Sequence, residues 1–362
     1  MCKVKRWSLV AAALVLLAAI VLTRFGARTV RADDYETKRE AAVRMQRCMD
    51  RIKEYKAERS LPVGAEDLHQ TGLIGEPFTG ITTTLGAIEA KRTAADANMA
   101  ALLVELLHEA GISAGDTVGA GFSGSFPGLN LAVLCACAAM DVELIYIDSV
   151  GASTFGANQP ALTFPDMAYL LAQDGLLPQY AKATTLGGQG DAGLGMEPAL
   201  REEILSRLRS RDVPLLLIED YAANVNARMA IYEENGPIDC FIGVGGNVTT
   251  LGRGETQLSY GLIAPHTVSR ADERSGLLEH YNAQGLPVLY LLNVKQLVTD
   301  YGMEYDPATP LPVGQGAVYF QTEYPWAIAV AGALLAVLAL LLGRRQVARE
   351  TRAELRPVER DE

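Results

Sequence analysis

At 362 residues, 49% of them apolar, the chain is long and apolar enough to bury a sizeable core, which excludes a disordered protein. Its net charge of −11 is unevenly spread: residues 1–31 carry six basic and no acidic residues, and the segment from Arg344 carries six basic against five acidic, leaving about −18 on the middle. An acidic middle with only 7% aromatic residues has no basic stripe to displace counterions, which excludes nucleic acid as a partner.

The first element is the uncharged run SLVAAALVLLAAIVLT at 8–23, slightly short of a membrane span unless Trp7 and the flanks contribute. A cleavable signal peptide and a signal anchor both fit. Arg24, Arg28 and Arg31 separate the small residues near Ala32 from the apolar core, which favours an uncleaved anchor over 1–32. Cys2 precedes the basic segment instead of following an apolar stretch, so it is not the lipidated cysteine of a signal sequence. Palmitoylation is the modification left open there. The spacings of Cys2, Cys48, Cys135, Cys137 and Cys240 match no zinc or redox motif, so no metal or cofactor is assigned. Cys135 and Cys137, within LAVLCACAAM, read as small buried thiols.

Residues 33–75 form a connector: a mostly solvated helix with apolar positions at Val43, Met45, Met49 and Ile52, followed by a Gly- and Pro-rich loop. From about residue 97, within a domain at 76–322, helical and strand patterns alternate. ANMAALLVELLHEAG closes on Gly111, DTVGAGF is a strand, and 129–140 is a buried helix. VELIYID is a strand, 164–174 and 198–211 are helices, VPLLLIED is a strand, 221–235 a helix, and DCFIGVG and PVLYLLN are strands. Five apolar strands alternating with helices predict an α/β fold, a mainly parallel, Rossmann-like sheet with helices on both faces. A second apolar run lies within 323–343, preceded by Tyr324 and Trp326 as an interfacial belt. Arg344, Arg345 and Arg349 follow it, so the positive-inside rule places the charged tail 344–362 in the cytoplasm and the middle domain outside.

In open parallel sheets ligands bind beyond the carboxyl ends of the strands, which singles out three turns. Ser123, Gly124 and Ser125 lie where a strand turns into a helix, with hydroxyls at capping positions and Pro127 in the first turn. They read either as a well-made cap or as a cradle for an anion. Gly245, Gly246 and Asn247 follow another strand and offer close backbone approach with neutral donors; a tight turn is the bland alternative. The two turns are expected to face one cleft. The third, 187–193, is Gly-rich and polar and reads as a lid or a disordered loop. Ser123 or Ser125, then Asp191 or Asp220, then His266 follow the Ser, acid, His order of α/β-hydrolases, although the G-x-S-x-G elbow is absent because position 125 is Ser.

GITTTLGAIEAKRT at 80–93, GFSGSFPGLN, IDSVGASTFGANQP at 147–160 and LGGQGDAGLGM at 186–196 together resemble the poly-gamma-glutamate system protein family over roughly 75–320. The resemblance implies a place in the synthesis and export of gamma-linked polyglutamate beside that machinery's subunits, and no particular reaction. Within the resembling stretch, Thr83, Thr84, Lys91 and Arg92 read either as a β-segment entering a charged helix or as hydroxyls and cations that join the Gly-rich turns around a carboxylate-bearing chain. The expectation is therefore a membrane-anchored accessory component of capsular poly-gamma-glutamate production that binds polymer or partner subunits. The alternative is an extracytoplasmic hydrolase or transferase using a serine of the 123–125 turn. A cytoplasmic nucleotide-binding domain would require the reversed topology.

Overall fold

The computed structural model describes residues 5–211, 213–254 and 258–354. The chain divides into two compact units, Met1–Ala32 with Phe320–Glu362, and Asp33–Tyr319.

In the first unit, helix α1 (Arg6–Phe25) and strand β1 (Arg28–Arg31) meet β10 (Phe320–Glu323) and α12 (Trp326–Glu354). β1 and β10 pair antiparallel, Arg28 opposite Glu323 and Arg31 opposite Phe320. Lys5 pairs with Glu350 at 2.6 Å and the Trp7 indole donates to Gln346 at 3.0 Å, so the helices form an antiparallel hairpin. They approach closely at Gly332, where an added Cβ would lie 2.3 Å from Ala19 Cβ. Buried Ala336 lies one turn further on, giving the small-residue seam that packs apolar helices. Leu14, Leu17, Ile20, Leu334 and Leu338 point outward and are exposed. Both helices are long and apolar enough to cross a membrane. α12 continues through Arg344 and Arg345, so the first part of the expected tail is helical, while residues 355–362, like Cys2 and Lys3, lie outside the described residues.

In the second unit, α2 (Tyr35–Glu58) is followed by an irregular segment, β2 (Thr82–Thr84), α3 (Ile88–Ala94) and α4 (Asn98–Glu109). Then come β3 (Thr117–Phe122), α5 (Pro127–Met140), β4 (Glu143–Ser149), β5 (Ala152–Ser153), α6 (Phe164–Gln173) and β6 (Ala183–Thr185). α7 (Pro198–Arg209), α8 (Tyr221–Tyr232), β7 (Cys240–Val244), α9 (Val248–Leu251), β8 (Gly261–Ile263), α10 (Leu277–Ala283), β9 (Val288–Leu291) and α11 (Val294–Asp300) complete it. The strands form a six-stranded sheet in the order β6-β4-β3-β7-β9-β8, parallel except for β8. The α/β fold with a mostly parallel sheet is as the sequence implies.

β3 is the innermost turning point, because the chain builds outward from it through β4 to β6 and then crosses back to place β7 on its other side. Alternating side chains give the sheet two cores. Ala120, Phe122 and Tyr146 pack under α2, α4, α5 and α6, whereas Ile145, Ile147 and Phe241 pack against α8 and α10.

Four elements differ from expectation. The run at 213–220 makes a single bridge, Leu215 to Thr184, at the β6 edge, since Pro214 and the start of α8 curtail the pairing. β6 and β8, three residues each, are too short for a periodicity signal. α2 is not a solvated connector: Ala41, Ala42, Met45, Cys48, Met49, Ile52 and Tyr55 make a buried stripe against α4 and α5, and of its two buried cations Lys38 pairs with Asp34 and Glu105 while Lys56 donates to the Ile74 carbonyl at 3.4 Å. Cys48, Cys135, Cys137 and Cys240 are buried and unpaired.

Because Met45 is fully buried, Met45→Ala should cost about 2–5 kcal/mol in urea unfolding followed by circular dichroism. Val43→Ala, on the exposed side of the same helix, should change stability by about 0.5 kcal/mol or less. Equal small effects would show that α2 is not core.

Candidate functional site

The carboxyl ends of the parallel strands gather the loops that the sequence singled out. β3 and β7 lie side by side with Phe122 opposite Val244, so the turn after each begins at the same level of the sheet. A Cβ on Gly245 would come within 2.8 Å of Ser123 Cβ, and Gly245 has φ +81, so only glycine lets the two turns touch. They share one edge of the crevice, at the point where strand order reverses. Gly246 beside them is exposed, with no atom within 4 Å of where a Cβ would be.

The serines do not cap α5. Its N-cap is Phe126, without a side-chain cap, and Pro127 fills the first position as expected. Ser123 Oγ instead accepts the Ser125 amide at 3.2 Å, and Ser125 Oγ accepts the Ser153 amide at 3.0 Å, because the turn is tied sideways to the neighbouring β4–β5 turn. Gly124 makes this possible, since a Cβ there would sit 2.8 Å from the Val150 carbonyl oxygen. β2 pairs with β5, and the Thr83 hydroxyl donates to the Ala152 carbonyl at 3.2 Å, which lays the 82–84 strap beside the same turn. Thr84 is exposed.

Of the two expected cations, the structure brings one to this edge. Arg92 makes a bidentate pair with Asp306, at 2.7 and 2.6 Å, so a ligand carboxylate would have to displace an existing partner. Lys91 is 3% exposed, donates to the Ser125 carbonyl, and lies 3.4 Å from the centre of the Phe126 ring. It has no carboxylate partner among the described residues, and burial pushes its pKa down to about 7.

The 186–196 loop is neither a lid nor disordered. Asp191, 1% exposed, anchors it: Arg228 pairs with its Oδ2 at 2.5 Å, Asn224 donates to the same oxygen at 3.2 Å, and Thr185 and Asn247 donate to Oδ1 at 3.0 and 3.1 Å. A buried carboxylate held by four donors makes the loop a fixed wall. Asn247 is also the N-cap of α9 through the Thr249 amide at 2.9 Å, so its side chain is fully engaged. The chain-order trio fails: β8 runs antiparallel and delivers the loop bearing His266 to the amino edge of the sheet, beside Gly285, while both serines lie at the carboxyl edge. Asp220 caps α8 through the Ala223 amide.

Sequence reasoning passed over Asp148, Ser153 and Arg228. Asp148 ends an apolar strand and Arg228 interrupts a weakly polar helix, and each such break in a buried pattern was a legible signal. Ser153 gave none, being one hydroxyl among many. Asp148 lines a cavity of about 300 Å³ with Tyr146, Tyr169, Tyr180, Thr184 and Arg211. Burial pushes its carboxyl up to about 7, against the hydrogen bond from Thr184 at 2.6 Å, with the Asp166 charge adding to the rise.

A carboxyl whose folded-state pKa is raised holds a proton that the unfolded chain has released, so this group makes stability fall as pH rises from about 4 to about 7 and then level off. The full loss is about 4 kcal/mol at most. Asp148→Asn keeps an acceptor for Thr184 and should flatten that slope in denaturation at a series of pH values. A slope unchanged in the variant would assign it to other groups.

Compared with known protein families, curated proteins and solved structures, the chain matches none of them.

Proposed function

We propose that the chain is a membrane-anchored component of poly-gamma-glutamate synthesis or export, whose domain lies outside the cytoplasmic membrane and binds the gamma-glutamyl polymer or its partner subunits at the carboxyl edge of the sheet. The observation that carries this reading is convergence: the four Gly-, Ser- and Thr-rich segments that bear the resemblance are far apart in sequence yet meet around the Ser123–Gly245 contact. A polymer with one carboxylate per residue suits a mouth of uncharged donors, here the Ser125 and Thr84 hydroxyls and the open backbone at Gly246. The charge of about −18 on the domain favours a local contact over a broad one. Lys5 and Glu350 meet at one end of the antiparallel hairpin, and Arg344, Arg345 and Arg349 favour the cytoplasmic side for that end.

Gly246→Trp should leave the melting temperature unchanged, because nothing occupies the space its side chain would enter, yet lower affinity for a gamma-linked glutamate oligomer about tenfold or more by calorimetry. Undiminished binding would place the polymer elsewhere. For sidedness, Glu234→Cys supplies an exposed thiol on the domain, whereas the described native cysteines are buried. A membrane-impermeant maleimide should label it from outside intact cells, and labelling only after lysis would reverse the topology.

A further inference from the structure

Two buried lysines of the domain lack a carboxylate partner among the described residues: Lys56, which donates to the Ile74 carbonyl at 3.4 Å and still feels the charges of Asp67 and Glu76, and Lys91, on which no acidic side chain acts. Lys38 pairs with Asp34 and Arg228 with Asp191, as the cost of burying a charge requires. Lys91 has a carbonyl and an aromatic face in place of a carboxylate. The elements around it, the 123–126 turn, β5 with Thr154, and the Leu85–Gly86 segment, carry hydroxyls, glycines and apolar groups and no charge. On its own helix, Glu89 is exposed and Arg92 is bound to Asp306. A second group at the same place also lacks a partner: Ser153 is 3% exposed and its buried hydroxyl makes no hydrogen bond. Lys91 and Ser153 flank one point, since a Cβ on Gly86 would lie 2.8 Å from Ser153 Oγ and 3.3 Å from Lys91 Nζ. Gly86 is held there by Thr154, which accepts its amide at 2.8 Å and donates to its carbonyl at 3.1 Å. From this pair the Ser153 amide reaches Ser125 Oγ at 3.0 Å, and Lys91 touches the carbonyl of Ser125 itself. Ser125 is half-buried, and so reachable, on the turn from β3 to α5.

We propose that Lys91, Ser153 and Ser125 form a serine–lysine acyl-transfer centre that cleaves or transfers amide-linked acyl groups, with Ser125 as nucleophile. Lys91 is the base, and the Ser153 hydroxyl, which makes no hydrogen bond in the resting structure, turns to carry the proton between them. In the first half, Ser125 Oγ bonds to the substrate carbonyl carbon while its proton passes through the Ser153 hydroxyl to neutral Lys91. The C–N bond then breaks, the departing amine takes that proton back from the Lys91 ammonium, and an ester remains on Ser125. In the second half, water or an acceptor amine attacks the ester, gives its proton to Lys91 by the same path, and Ser125 recovers it as the acyl group leaves. A lysine serves as base at neutral pH only when its pKa is lowered, which its uncompensated burial achieves. The centre stands on its own geometry; only the choice of a gamma-glutamyl amide as substrate rests on the function proposed above.

The test uses the full-length protein in detergent with a fluorophosphonate probe and intact-mass detection. One adduct is expected, mapping to Ser125, forming faster as pH rises through about 7. Ser125→Ala should abolish it, and Lys91→Met should slow it about a hundredfold or more. Lys91→Arg, which keeps the charge and cannot lose its proton, should fail to restore it. Ser153→Ala should slow the reaction about tenfold or more at an unchanged melting temperature. A wild-type protein that forms no adduct, or Lys91→Met labelled at the wild-type rate, overturns the proposal. If Lys91→Met does not fold, a flat pH profile together with normal labelling of Ser153→Ala overturns it equally. A gamma-linked glutamate oligomer, followed for shortening by mass spectrometry, separates the two readings: oligomer binding without probe reactivity removes the acyl-transfer centre alone, and probe reactivity without oligomer binding or cleavage removes the polymer reading alone.

Discussion

The parallel pairing of β3 with β7 places nearly everything of chemical interest in this molecule. Once Phe122 and Val244 are fixed opposite one another, the two turns that follow must leave the sheet side by side, and the crossover that creates this neighbourhood opens a crevice between them. The contact of Ser123 with Gly245 is so close that only a residue without a Cβ serves there, and the positive φ at Gly245 demands the same. The β4–β5 turn is tied to the first of these through the Ser153 amide on Ser125 Oγ, the 82–84 strap is tied to the β4–β5 turn through the Thr83 hydroxyl on the Ala152 carbonyl, and the 186–196 loop is tied to the second through the Asn247 side-chain amide on Asp191.

Buried charge sorts the features around that edge. Asp191 is compensated by Arg228, two amides and a hydroxyl, which makes it structural: it holds a glycine-rich segment still. Arg92 is compensated in the same sense by Asp306. Lys91 and Asp148 are not, and desolvation draws the pKa of each toward neutrality from opposite directions. Groups left in that condition reduce stability, and sites where chemistry is carried out tolerate such a cost most often.

The helical hairpin follows a different logic. Its surface of leucine and valine would be unstable in water, and its internal seam relies on the close approach allowed by Gly332 and Ala336 instead of on interlocking large side chains. This is how apolar helices pack when the surrounding solvent is itself apolar.

The sequence by itself determined the α/β class, both long apolar helices, and β3, β4, β7 and β9, because a strand buried on both faces is a continuous apolar run and leaves its mark in composition alone. It also marked the turns that ended up together, since glycine beside serine or threonine just after such a run has few other uses. Tertiary structure decided the rest. β6 and β8 are three residues long, and their pairing depends on neighbours distant in sequence. The alternating charges of α2 read as a solvated helix because the narrow stripe from Ala41 to Tyr55 is apolar only on the side that α4 and α5 cover. The direction of β8 carried His266 away from the serines, which chain order could not reveal. Finally, adjacent residues of one short helix, Lys91 and Arg92, met opposite fates. Successive positions on a helix face about 100° apart, so one entered an apolar pocket beside Ser153 and the other reached Asp306, and that depended on what the fold had brought to each side.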